Sequence, residues 1–338
     1  MAYRFKLDEL NKKGVRRIAR EQIQRAVTEL SRDSMTAADV HETRKVVKRL
    51  RSLLRMVRPA IPEKVFQRRT KRIGRIGDAL AQARDRDILI ETIGKLETRF
   101  GPECIKTLQP LRPLLTAREP GTPNSKNRIN ARRALKRANT ESAKLENIAF
   151  KSRGFEVIAG GIKETYRGAR RNFRRAYRRP SDATFHELRK TVQCHWRQMA
   201  LISRAWPDYF EARITAARQL AAILGDDHDL AILEAEVRKL SPSLSEDAGA
   251  IEHLIHVRKD ELRSAAYPYA ERLFVEKPGD FVRRIRAYWT SAKNMRQMSQ
   301  VLRTTANRVN GVMQPVPLLP HPPLVAKSHK PRLSLRRA

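Results

Sequence analysis

Disulfides and long apolar runs are both missing from this sequence of 338 residues. The chain has two cysteines, Cys104 and Cys194, which cannot form a disulfide framework, so a reducing cytoplasm is the expected compartment. No apolar run approaches the roughly 18 residues that a membrane helix needs. The first ten residues also lack the apolar core of a secretory signal. We therefore expect a cytoplasmic protein without a membrane span.

Glycine, proline and aromatic residues are also scarce. With 14 glycines and 18 prolines, the chain keeps long stretches of Ala, Leu, Arg, Glu and Ile at helical spacing and few β-branched runs, which predicts an all-α fold. Aromatic residues make up 6% of the chain, too few for the stacking platforms that single-strand nucleic-acid binders use. The predicted helices span residues 10–30, 38–58, 62–98, 103–117, 128–148, 153–178, 183–205, 208–240, 247–275 and 280–308.

Positive charge is what the chain has in excess. Lys and Arg number 71 against 36 Asp and Glu, a net charge of +35, while 41% hydrophobic residues indicate a globular chain. These positive charges repel one another in the folded state, so we expect the protein to bind a polyanion. The candidates are nucleic acid, inorganic polyphosphate and an anionic membrane surface, and composition alone ranks nucleic acid first.

One pattern occurs twice, about 145 positions apart. His41-Glu42-Thr43-Arg44-Lys45 returns as His186-Glu187-Leu188-Arg189-Lys190, and a proline follows each copy, at Pro62 and Pro207. An Asp-containing element comes next, "LAQARDRD" from Leu80 in the first copy and "LGDDHDL" from Leu224 in the second. The nearly constant shift indicates a tandem duplication. The predicted division is a helical half over 1–148, a second over 149–308, and a disordered, basic, Pro-rich tail over 309–338.

Basic residues form a helical face in each copy. On a helix over 38–58, six basic residues fall within a band of roughly 120° on the side opposite the apolar residues. We call this band the first basic face, and it consists of His41, Arg44, Lys45, Lys48, Arg51 and Arg55. The second copy has basic residues at the equivalent helical positions, which we call the second basic face: His186, Arg189, Lys190 and Arg197. Gln193 stands at the position that corresponds to Lys48. Further anion contacts are predicted on neighbouring helices, at Arg16, Arg17, Arg20, Arg72, Arg75, Arg170, Arg171 and Arg174. Arginine suits phosphate because its planar fork holds two oxygens at once.

Catalytic motifs are not found. The sequence has no Walker A loop, nucleophile elbow or zinc-spaced Cys/His set. Asp226, Asp227 and Asp229 are interpreted as helix-capping or ion-pairing residues rather than as a metal site, and His195, on an apolar side, as a core histidine. We therefore predict a binding protein that is not an enzyme and has no cofactor, metal or catalytic residue.

These motifs resemble the CHAD family, the conserved histidine α-helical domain. The resemblance rests on the two "HxxRK" helices, the two Asp-containing elements, "GVRRIAREQ" and "TYRGARR", and covers roughly residues 1–305. It implies two four-helix bundles related by a pseudo-two-fold axis, with basic helices lining a central cavity. It also implies that His41 and His186 are the family's naming histidines. The chain departs from the family at Ala81, where glycine is usual, and from Gln193 to Trp196, where basic residues are commoner.

The resemblance makes inorganic polyphosphate the leading ligand and a non-catalytic binding module the leading function. Polyphosphate-handling enzymes or granule proteins are the implied partners, and polyphosphate granules in the cytoplasm an implied location. The alternative is a nucleic-acid-binding helical protein, although we expect nucleic acid to bind only non-specifically. A polyphosphatase or triphosphatase is the third hypothesis.

Overall fold

The computed structural model describes residues 3–32, 36–78, 85–116, 123–244 and 247–312. Within these ranges the chain forms α-helices, turns and no strand, which confirms the predicted all-α fold. The helices are α1 (Asn11–Leu30), α2 (Ala37–Val57), α3 (Glu63–Asp78), α4 (Asp85–Phe100), α5 (Pro102–Leu108), α6 (Leu111–Thr116), α7 (Pro123–Glu146), α8 (Glu156–Arg178), α9 (Asp182–Ile202), α10 (Pro207–Leu244), α11 (Asp247–Phe274) and α12 (Pro278–Val312). A 3-10 turn follows α2, at Arg58–Ala60, and another follows α9, at Ser203–Ala205.

Helix starts follow the signals in the sequence. Thr36 caps α2 in a reciprocal capping box with Asp39, and Ser181 caps α9 in the same way with Thr184. Pro207 begins α10, where its missing N–H costs no helical hydrogen bond. Pro62 lies one residue before α3, and its carbonyl accepts from the backbone N–H groups of Val65 and Phe66.

Helix lengths differ from the prediction in the first copy. The helix predicted over 62–98 is described as α3 up to Asp78 and as α4 from Asp85, with residues 79–84 outside the described residues, whereas the helix predicted over 103–117 is two helices, α5 and α6. The counterpart of α3 and α4 in the second copy is α10, one helix of 38 residues. The side chains of the "LAQARDRD" element and residues 313–338 of the predicted tail lie outside the described residues, while residues 309–312 continue α12.

Residues up to Asn294 form one compact unit. Its main apolar core contains residues of both copies, including Val47 and Leu54 of α2 and Ile162 of α8. A smaller core joins α4, α5 and α6 to α10 and α11, through residues such as Ile93, Leu108 and Leu233. The halves 1–148 and 149–308, their bundle symmetry and a central cavity stay predictions.

The second unit begins at Met295 and is helical as far as Val312. All described side chains from Met295 to Thr305 are exposed. Over the whole described chain, none of the helices combines the length and apolar character that a membrane crossing requires.

Candidate anion-binding surface

Seven arginines in the C-terminal half of α8 and at its C-cap line a groove of about 580 Å3. We call it the arginine groove, and it consists of Arg167, Arg170, Arg171, Arg174, Arg175, Arg178 and Arg179, with Pro278. Six of the arginines are exposed, and Arg170 is half-buried because it donates to the carbonyls of Phe274 (3.1 Å) and Val275 (3.4 Å). Among the residues that the structure describes, none of the seven forms an ion pair with a carboxylate. The groove therefore presents dense positive charge that an external anion can neutralise.

The position of the groove follows from the sequence of α8. Residues 167, 171, 174 and 178 repeat at helical spacing on one side, while Ile158, Ile162, Tyr166 and Phe173 on the other side are buried. Like charges at this spacing cost a few tenths of a kcal/mol per pair. The buried apolar side holds α8 in place against that repulsion.

A second groove, of about 530 Å3, continues the same surface toward the end of α2. It shares Arg167 and Arg171 with the arginine groove and adds Arg58 and Lys151. Here the charge is partly balanced, because Arg58 pairs with Glu63 at 3.0 Å. The two grooves together extend the basic surface from α8 to the 3-10 turn after α2.

The first basic face lies along α2, opposite a buried apolar side that includes Val46, Leu50 and Leu54. Lys48 and Arg51 are exposed, and the other four members are half-buried. Lys45 pairs with Glu42 at 2.7 Å, so one cation of this face is already neutralised by the preceding turn.

The second basic face, on α9, repeats that ion pair: Lys190 binds Glu187 at 2.7 Å. The hydrogen bond from Lys190 lowers the pKa of the Glu187 carboxylate most, and the charge of Arg55 on the first basic face adds to this effect, which connects the two copies. The backbone carbonyl of Glu187 also accepts from Asn172 of α8 at 3.2 Å. The structure thus brings Arg55, Lys190 and α8 into one neighbourhood.

Arg197 lies apart from this exposed surface. It is only 8% exposed, and its guanidinium carbon lies 4.3 Å from the ring centroid of Trp196, which Arg218 also approaches at 4.9 Å. It donates to the carbonyl of Gln193 at 2.6 Å, and burial lowers its pKa to about 10. An anion that contacts Arg197 has to enter a largely buried position between α9 and its neighbours.

Several other predicted contacts already bind protein groups. Arg16 donates to the carbonyl of Ile148 at 2.9 Å, and Arg17 pairs with Glu9 at 2.6 Å and with Glu21 at 3.1 Å. On α3, Arg72 pairs with the buried Glu141 at 3.1 Å. Arg72 and Arg75 line a further groove with basic residues of α7, and Arg20 lines a separate one along α1. Their roles as anion contacts stay predictions.

The Asp cluster of α10 was interpreted from the sequence as helix-capping or ion-pairing, and the structure separates these two roles. Residues 226–229 lie in the middle of α10, so helix capping does not explain them. Ion pairing explains two of them, because Asp226 binds Lys95 at 2.9 Å and the buried Asp227 binds Arg263 at 2.7 Å. His195 is fully buried and accepts from Arg213 at 3.2 Å, which confirms its interpretation as a core histidine.

His186 of the second basic face lies against His228 of α10, with ring centroids 4.2 Å apart. Burial lowers the pKa of His186, helped by the charges of Lys190 and Arg189. Burial likewise lowers the pKa of His228, to about 4, and the neighbouring His186 and Arg189 add to this effect. Both rings are therefore neutral in the folded protein near neutral pH.

These lowered values predict a loss of stability in acid. The unfolded chain takes up protons at an ordinary histidine pKa of about 6.5, whereas His228 in the fold does not until about pH 4. The free energy of unfolding should therefore fall as the pH drops from 7 to 5, and His228→Gln should reduce that fall by about 1–2 kcal/mol. Urea titrations at both pH values measure it, with exposed His253→Gln as the matched control. An unchanged pH dependence in the His228 variant would contradict the assigned environment.

Sequence reasoning missed part of the arginine groove. Arg167, Arg175, Arg178 and Arg179 were not among the predicted contacts, although Arg167 and Arg178 continue the helical spacing of Arg171 and Arg174. Extending that spacing to the end of α8 would have found Arg178. Arg218, beside Trp196, carried no such signal because it comes from α10.

A family model and a solved structure are similar to this chain. A family model of the CHAD domain matches residues 16–238. Among solved structures, the crystal structure of the CHAD domain from the plant Ricinus communis is similar to this chain at 16% sequence identity and a TM-score of 0.49, covering 80% of this chain and 93% of that one. No curated protein matches the chain.

Proposed function

This chain belongs to the CHAD domain family, and from that premise we propose that it binds inorganic polyphosphate as a non-catalytic module. The arginine groove is the observation that carries the proposal. Seven guanidinium groups converge there without a carboxylate partner among the described residues. Such a site is completed by an anion with many closely spaced charges, and a phosphate polymer supplies them.

The spacing of the groove suits a linear polyanion. Successive turns of α8 present an arginine about every 5.4 Å along the helix, so a flexible chain of phosphates can meet several forks in turn. Each contact is a charge-assisted hydrogen bond. Because the arginines are largely exposed, salt should weaken these contacts strongly.

Nucleic acid is the second candidate, and the lining of the groove argues against specific binding of it. Among the described residues, those that line the groove are arginines and one proline, without an aromatic ring on which a base would stack. Trp196, the neighbour of Arg197 on α9, is not available for stacking either, because Arg197 and Arg218 already lie over its ring. We therefore propose that nucleic acid binds through its phosphates only, without sequence preference.

Competition between the two polymers tests the proposal. With the full chain bound to a labelled RNA, long-chain polyphosphate should displace the RNA at a phosphate concentration about tenfold or more below that at which RNA displaces polyphosphate. A series of polyphosphates of graded length should show affinity rising with length until the groove is filled. Displacement in which RNA or DNA is the better competitor would overturn the assignment to polyphosphate.

We also propose that the chain does not hydrolyse its ligand. A polyphosphatase would need carboxylates free to hold a divalent metal, whereas Asp226 and Asp227 are engaged by Lys95 and Arg263. Purified protein with magnesium and polyphosphate should release phosphate no faster than buffer. Release that disappears in Asp226→Ala would instead support the enzyme hypothesis. Cytoplasmic granules and polyphosphate-handling proteins remain the expected setting, which co-localisation with polyphosphate staining would test.

A further inference from the structure

Four exposed apolar side chains form a stripe along the C-terminal half of α12. Met295, Met298, Val301 and Leu302 are each 60–62% exposed. All described side chains around them are exposed as well. Four large apolar side chains at this exposure leave a continuous patch in water, which marks an interaction surface more often than an accidental one.

The stripe occupies one side of the helix. At about 100° per residue, Met295, Met298, Val301 and Leu302 fall within roughly 120°, whereas Arg296, Ser299, Gln300 and Arg303 fall on the remaining sides. The sequence repeats this spacing at Val309 and Val312, within the same helix. Residues 295–312 therefore have the pattern of an amphipathic helix, and we refer to them as the amphipathic segment.

Charge indicates which partner covers the stripe. No residue from Phe281 to Ala338 is acidic, so the amphipathic segment and the sequence after it are entirely cationic. If the stripe packed against a second copy, two such helices would meet without a carboxylate on either one. Coiled coils choose their partners through salt bridges between the helices, and this pair could form none within the segment. The apolar arc is also wider than a coiled-coil seam. An anionic lipid surface satisfies both properties, because headgroups attract the arginines while the stripe enters the acyl boundary.

We propose that the amphipathic segment docks the protein on an anionic phospholipid surface, lying in the interface plane. The expected orientation has Met295, Met298 and Leu302 inserted and Arg296 and Arg303 at headgroup level. This role is separate from polyphosphate binding, and it needs no spanning helix. A single segment of this kind gives reversible attachment.

Vesicle binding by the full chain tests the proposal. The protein should sediment with vesicles of 70% phosphatidylcholine and 30% phosphatidylserine, and far less with pure phosphatidylcholine. Met298→Gln with Leu302→Gln should lower partition to the anionic vesicles by about tenfold or more, because two apolar side chains no longer leave water. The matched control, Ser299→Gln with Thr304→Gln on the polar sides, should stay within about twofold of the parent. Equal binding by the two double variants would overturn the proposal.

A second measurement separates insertion from attraction of the basic protein to any anionic surface. A fluorescent label sensitive to polarity, attached at Met298→Cys, should shift to shorter wavelength on vesicle binding, and the same label at Thr304→Cys should not. Cys104 and Cys194 are buried and leave the introduced thiol as the reactive one. Equal shifts at both positions would contradict the proposal. So would a dimer of the parent chain that the Met298 and Leu302 variants dissolve, since that outcome assigns the stripe to a second copy.

Discussion

Reversing the charge of Arg171, Arg174 and Arg178 together should lower the affinity of the chain for long-chain polyphosphate by about 100-fold or more at low salt. Each arginine can supply a charge-assisted hydrogen bond, worth roughly 1.5–3 kcal/mol at best and less at an exposed site. Replacement by glutamate removes three such contacts and adds repulsion. The salt dependence should weaken too, because fewer charges are neutralised on binding. Isothermal titration at two salt concentrations measures both effects.

The matched control changes net charge equally away from the groove. Arg4, Arg153 and Arg204 are exposed and lie outside the grooves of α8. Their reversal to glutamate should cost less than about fivefold in affinity, through the long-range field alone. If the two triple variants lose affinity equally, the chain attracts polyphosphate by diffuse charge and the arginine groove is not its site. Circular dichroism should show an intact fold in both, since all six side chains are exposed.

The first basic face offers a comparison within the same molecule. Arg51 is exposed on α2, whereas Arg55 is half-buried near Glu187. Reversing Arg51 should weaken polyphosphate binding by about tenfold if the polymer spans from α8 to α2, and leave it unchanged if the arginine groove alone binds it. Filter binding with long and short polyphosphate distinguishes these cases, because only a long polymer reaches both surfaces.

Periodicity and capping signals predicted most of the fold. They predicted the all-α class and most helix ends, because these depend on residues close in sequence. The same reasoning placed the apolar sides of α2 and α9 correctly, since burial of Leu50 or Leu188 follows the 3.6-residue period.

Partners far apart in sequence were not predictable. Asp227 meets Arg263 of a different helix, a contact that only the packing of α10 on α11 creates. The burial of Arg197 likewise depends on tertiary packing, because its position on a basic helical face indicates exposure. Local patterns thus identify charged faces, and the tertiary fold decides which charges stay available.

Gly161→Ala should be among the most destabilising single substitutions in this chain, because α8 and α2 meet there backbone to backbone. A Cβ at Gly161 would lie 2.0 Å from the carbonyl oxygen of Met56, and a helical backbone atom cannot move aside as a side chain can. The two helices would have to separate, which disrupts the core that both copies share. We expect the free energy of unfolding to fall by about 2–4 kcal/mol, in spite of the better helix propensity of alanine.

Gly168→Ala in the same helix is the matched control. Its Cβ would meet only a methyl group of Thr191 at 3.8 Å, an ordinary contact. This variant should therefore gain up to about 1 kcal/mol from helix propensity alone. Urea denaturation followed by circular dichroism compares the two, and equal midpoints would mean that α2 and α8 do not cross at Gly161. The opposite signs expected for one chemical change, seven positions apart, isolate the close approach of the two helices as the cause.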